Sequence, residues 1–153
     1  MAGLYHDFLL LSRSEHLFSD YMRFINDPRA VHLHDDLVGY MLDTLAWVSA
    51  HNPSTDQACQ GLCRHGPTVI DAGGAPAAAR IFAAWADLLG SGPAVLRLTG
   101  EWSWRGEGPS PQDGYEQVEF ERDEVVGALR RLAAYAQQVA GSSGDLYILH
   151  SGI

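Results

Sequence analysis

Two short clusters in this sequence have the residue types for metal or nucleophile chemistry. The first is His32-Leu33-His34-Asp35-Asp36. On an extended segment, alternation puts His32 and His34 on the same side, where they could ligate one metal with Asp35 following, and His51 or His65 as a further ligand. The second is Cys59, Cys63 and His65, a C-x3-C-x-H set. Neither matches a standard zinc spacing, because no second C-x2-C or H-x3-H pair accompanies it. The competing reading for the histidines is a polar loop before a helix, with Asp35 as its cap. For the cysteines it is a pair of small buried hydrophobes. No metal or other cofactor is therefore assigned. A small metal-dependent enzyme using His32, His34 and Asp35 is kept as the alternative function.

Other catalytic signatures are missing. All ten basic residues are Arg and none is Lys. That excludes a Walker A loop, a Schiff-base enzyme and a Ser-Lys pair. Asp71-Ala72-Gly73-Gly74 lacks the G-x-G-x-x-G pattern, and there is no G-x-S-x-G elbow. Cys63 and His65, placed two apart, would not face each other on a helix. No residue is assigned a catalytic role, and the chain is expected not to be an enzyme.

The elements that must position these residues follow from periodicity. With 153 residues, 46% of them hydrophobic, the chain is expected to be one domain, 1–153, with a packed core. Tyr5–Leu11 reads as a short strand. Ser12 and Glu15 have capping-box spacing ahead of Leu17, Phe18, Tyr21, Met22 and Ile25, which predicts a helix ending at Pro28. A second helix is predicted from Asp35 to about Ala50. A third, opened by Ser54 and Gln57, would carry both cysteines on one face. Thr68–Asp71 reads as a short strand or link. Pro76 opens a helix whose buried face is Ala78, Ile81, Phe82, Trp85, Leu88 and Leu89. The period then changes to two. Ala94–Trp104 and Tyr115–Arg122 read as a hairpin with a long loop. Asp123 caps a helix with Val125, Val126, Leu129, Leu132, Ala133, Ala136 and Ala140 on one side. Leu146–Leu149 is a last strand, followed by His150–Ile153 as a tail or docking element. The expected fold is α+β: a helical N-terminal half packed on a small, mainly antiparallel sheet, with a strand-strand-helix-strand C-terminal unit.

Charge is the strongest compositional signal. The formal net charge is −9. Eight acids and two arginines lie between Glu101 and Glu124, so this segment holds −6 of it. Such a field repels phosphate backbones, so no direct nucleic-acid binding is expected; it attracts basic proteins. The partner-binding set is expected to be Glu101, Glu107, Asp113, Tyr115, Glu116, Glu119 and Glu121. Glu119 and Glu121 share one strand face, with Glu101 near them on the paired strand. Trp102, Trp104 and Tyr115 flank the same loop, as interface anchors do. The competing reading for the acids is a face charged for solubility; Trp102 and Trp104 share a face with Leu96 and Leu98, which favours the core over contact for them. No secretory signal and no run of about 20 apolar residues is present, so a cytoplasmic chain with no membrane partner is expected.

In overall character the chain resembles bacterial toxin-immunity proteins of the contact-dependent growth inhibition type. The resemblance rests on the acidic hairpin Glu101–Glu121 with Trp102, Trp104 and Tyr115, in a small acidic α+β chain without a catalytic motif. No diagnostic motif carries individual residues over. The resemblance implies a binding module that neutralises a cognate toxin, of nuclease type, whose cationic cleft the acids would block.

Overall fold

Phe8–Leu11 is an apolar run buried on both sides, and this marks the strand that carries it as the interior of a sheet covered on two faces. The computed structural model describes residues 4–15, 26–104, 108 and 113–153. Within them, β1 (Tyr5–Ser12), β2 (Val31–His34), β3 (Ser49–Asn52), β4 (Gln57–Gln60), β5 (Pro67–Ile70) and β8 (Leu146–Ser151) form one antiparallel sheet in the order β2-β1-β8-β5-β3-β4. A separate antiparallel hairpin is made by β6 (Val95–Ser103) and β7 (Gly114–Glu121).

Three described helices cover one face of the sheet: α1 (Asp35–Leu45), α2 (Ala75–Gly90) and α3 (Arg122–Gly141). Phe8, Ile70 and Ile148 of the sheet meet Met41, Phe82, Leu129 and Leu132 of the helices in the main core. Leu9, Leu11, Val69 and Leu149, one residue out of phase, form a second buried cluster. The two clusters are the two faces of the same strands, as a period of two requires. In α3, Val125, Leu129, Leu132, Ala136 and Val139 are buried at helical spacing. In α2 the buried face is narrower in volume: Ala75, Ala78, Ala79 and Ala86 flank Phe82, while Leu88 points to solvent.

The chain is α+β, with three helices and eight strands among the described residues, but the expected helical N-terminal half is wrong. Five strands precede residue 71 and only one described helix does. The predicted helix after Glu15 falls largely on residues 16–25, outside the described residues. The predicted helix from Ser54 is a hairpin. Asn52 Oδ1 accepts the Ser54 N–H at 2.8 Å, Asp56 takes the left-handed φ of 53°, and β3 pairs with β4 across the turn. Capping-box spacing without an apolar stripe behind it does not sustain a helix this short. Cys59 and Cys63 therefore share no helix face; both are free thiols. The helix from Asp35 stops at Leu45, five residues early, because Ser49–Asn52 is taken into the sheet.

The last strand forms where expected and runs two residues further. β8 runs to Ser151 and inserts between β1 and β5, not beside the hairpin. Its Ile148, Leu149 and His150 are buried, so it belongs in a covered sheet interior. The residues after it are no free tail: Gly152 N–H donates to Gly66 O at 2.8 Å and Ile153 N–H to Arg64 O at 2.9 Å. Among the described residues no helix is long and apolar enough to cross a membrane.

Candidate functional site

Polar residues inside an otherwise apolar strand need partners, and those of β1 and β8 find each other. His6 and His150 are fully buried. His6 Nδ1 lies 2.8 Å from His150 Nε2, and His6 Nε2 lies 2.9 Å from Asp35 Oδ1. Asp35 is the first residue of α1, and its carboxylate is shared. Arg64 donates to it through Nη2 at 2.6 Å and Nε at 3.2 Å, while Nη2 also reaches Glu101 Oε1 at 2.7 Å. The chain of contacts thus runs His150–His6–Asp35–Arg64–Glu101, from the sheet interior to the hairpin. One neutral proton pattern, assigned from the network, satisfies both histidine contacts: His150 Nε2–H donates to His6, and His6 Nε2–H donates to Asp35. His150 Nδ1 is then a bare acceptor, and it has no partner among the described residues.

The backbone holds Arg64 in place. Its carbonyl accepts from Ile153, and a Cβ on Gly152 would lie 2.2 Å from that same oxygen, so only glycine fits there. Burial pushes the Asp35 carboxyl up, but hydrogen bonds from Arg64 and His6, and attraction to both, outweigh it and hold it below the usual carboxylate value. The Arg64 guanidinium is correspondingly raised by Asp35 and then Glu101. Beside this pair lies a polar cleft of about 310 Å³ lined by Asp36, Tyr40, Thr99 and Glu101 with Arg64 and Asp35. The histidines are sealed behind Asp35, so only the Arg64 end can meet a solute.

His150 gives a pH test. Burial, with the repulsion of His6, pulls its imidazole down to about 3 from an ordinary 6.5. Below pH 6.5 the unfolded chain takes up a proton that the folded chain refuses, so stability falls as pH falls through this window. The expected loss from this residue is about 2 kcal/mol between roughly pH 7 and 5. The check is urea unfolding of wild type and His150→Asn at both pH values. The stability difference between them should change by about that amount, and parallel curves would remove the assignment.

The His32, His34 and Asp35 set kept for the alternative function does not come together. His32 Nδ1 pairs with Asp7 at 2.6 Å. His34 Nδ1 accepts from the Asp36 N–H at 3.2 Å and so caps α1, the role expected of Asp35. Asp35 instead turns inward to His6 and Arg64. His32, His34 and Asp35 thus have three separate sets of partners. Among the described residues no group of three His, Cys, Asp or Glu could hold a metal ion. The Cys59 thiol is not activated either: burial, and then the neighbouring Cys63, push it up.

The hairpin residues divide into three groups. Glu101 and Glu119 are neutralised by arginines: Glu101 by Arg64, and Glu119 by Arg97, its direct cross-strand neighbour, at 2.9 Å. Glu116 and Glu121 are exposed and have no ion pair among the described residues. Asp113 is half-buried beside the start of β7, and Glu107 lies outside the described residues. The expected continuous acidic face is therefore interrupted by Arg97, and Glu101 turns toward the body of the protein.

The tryptophans are not core residues. The β6–β7 register shifts between Thr99 and Trp102. A bulge re-aims the strand beyond it, so the alternation that buries Leu96 does not continue. Trp102, Trp104 and Tyr115 are 48%, 69% and 62% exposed. They pack edge to face on one another, Trp102 with Tyr115 at 5.0 Å and with Trp104 at 6.4 Å between centroids. Sequence reasoning missed His6, His150 and Arg64 as a unit. Its signal was present as His6 and His150 inside apolar strands. Comparison of this chain with protein-family models, with curated proteins and with solved structures finds no match.

Proposed function

We propose that this chain is a binding module that neutralises a basic protein in the cytoplasm, with the β6–β7 hairpin as its contact. The observation that carries this reading is the exposed Trp102–Trp104–Tyr115 cluster at one end of a hairpin whose β7 strand also carries the exposed Glu116 and, at its other end, Glu121. Three large aromatics held in mutual contact at a surface are costly to leave in water, and they are the residue types that dominate binding energy at interfaces. The acids supply attraction and steering, and the aromatics supply the desolvated centre. Tethering of the hairpin through Arg64–Glu101 and the Tyr40 hydroxyl on Thr99 O keeps that surface preorganised.

The partner class is a cationic toxin domain, of nuclease type, as for immunity proteins of contact-dependent growth inhibition. The test is co-expression with the basic domain encoded beside this chain's own gene. The expected result is a stable complex and protection of the host cell. A neighbouring basic protein that neither binds this chain nor is neutralised by it would overturn the reading.

A further inference from the structure

Between the helices and the hairpin lies a cavity of about 180 Å³. Leu33 of β2, Leu37 and Met41 of α1, Leu98 of β6 and Leu129 of α3 line it. Two lining side chains carry polar groups, and both groups are already committed. Trp85 Nε1 donates to Thr44 Oγ1 at 3.0 Å, and the Tyr40 hydroxyl donates to Thr99 O. Both side-chain donors are thus used elsewhere, and the surface turned toward the cavity is apolar. The cavity's volume exceeds that of several waters, yet a water needs two to four polar partners to stay. Cores are otherwise packed to crystal density, so an apolar void of this size is a place where a ligand would recover lost dispersion contacts. Of the lining residues Tyr40 is exposed and also borders the polar Arg64 cleft, while the half-buried Leu89 and Leu98 also border a surface groove with Gly92, Pro93 and Arg97.

We infer that this cavity is a binding site for a small uncharged apolar molecule, with the bulk of a single aromatic ring or a branched hydrocarbon. A charged group on such a ligand would lose its hydration and find nothing in exchange. The site is separate from the exposed hairpin tip and does not rest on the partner-binding reading.

The test is titration of the full chain with toluene, followed by methyl NMR and calorimetry. The expected result is saturable one-to-one binding, with shifts concentrated at the methyls of Leu33, Leu37, Met41 and Leu129. Benzoate and benzylammonium, the same ring bearing a charge, should bind at least about 10-fold more weakly. Leu98→Phe and Leu89→Phe should fill the space and weaken toluene by at least about 10-fold. Absence of saturable shifts at those methyls would overturn the inference. So would benzoate binding as tightly as toluene, which would place the ring in the Arg64 cleft instead. Should the filling variants fail to fold, the wild-type methyl map and the benzoate comparison still decide.

Discussion

Asp35→Ala is expected to destabilise the fold by about 3–5 kcal/mol. Among the described residues Asp35 is the only acceptor for His6 Nε2, on a fully buried residue, and it takes two of the guanidinium contacts of Arg64. Removing the carboxylate leaves a buried donor without a partner and a partly buried cation held only by Glu101. The penalty is that of stranding both groups, and so it exceeds the net worth of the pair. Asp35→Asn keeps an oxygen for His6 but drops the charge, and its cost should be smaller, about 1–3 kcal/mol. Urea unfolding of both variants checks the order. A loss below about 0.5 kcal/mol for Asp35→Ala would mean that the cluster contributes nothing to the fold. The acid dependence has a defined sign. A carboxyl held below its ordinary 3.8 contributes stability above that value and loses it as pH falls through the depressed one.

Replacing Trp102 and Tyr115 together by Ala is expected to weaken the complex with the basic partner by at least about 100-fold, with the unfolding midpoint nearly unchanged. The two rings face each other across the β6–β7 register and are largely in solvent. Their removal therefore takes little from the core. Anchors of this type each contribute about 2 kcal/mol or more when a partner desolvates them. Trp47, at 70% exposure the most exposed of the described large hydrophobic residues, lies outside the hairpin and serves as the control. Trp47→Ala should leave the complex intact. Equal losses for Trp47→Ala and the hairpin pair would show that exposed indole is not specific to the interface.

Local patterns in the sequence located the hairpin, α2, α3 and the strands β1, β5 and β8, but not β2, β3 and β4 or the order of the sheet. The α3 stripe runs from Val125 to Val139 within a 20-residue helix, long enough for periodicity to be unambiguous. β3 and β4 are four residues each, SAHN and QACQ, and carry no period at all. Their pairing is decided by the Asn52–Asp56 turn and by β5, which lies beyond the reach of a local pattern. The bulge after Thr99 is a similar case. A one-residue irregularity turns two predicted core tryptophans into surface ones, and nothing in the alternation of β6 announces it. The acids of the hairpin could be read from composition, but which of them remain unpaired could not. Arg97 pairs Glu119 through register, and Arg64 reaches Glu101 from 37 residues away. His6 and His150 are 144 residues apart, so their contact exists only once β1 and β8 are neighbours.

The central claim is that the hairpin docks on a cationic protein. Its most direct measurement is the association rate with the basic domain encoded beside this chain, taken across a salt series for wild type and a charge-reversed Glu116→Arg/Glu121→Arg chain. The claim predicts a wild-type rate that falls steeply as salt rises, and a variant that associates at least about 10-fold more slowly at low salt and responds little to salt. Equal rates and equal salt dependence in the two chains would contradict it.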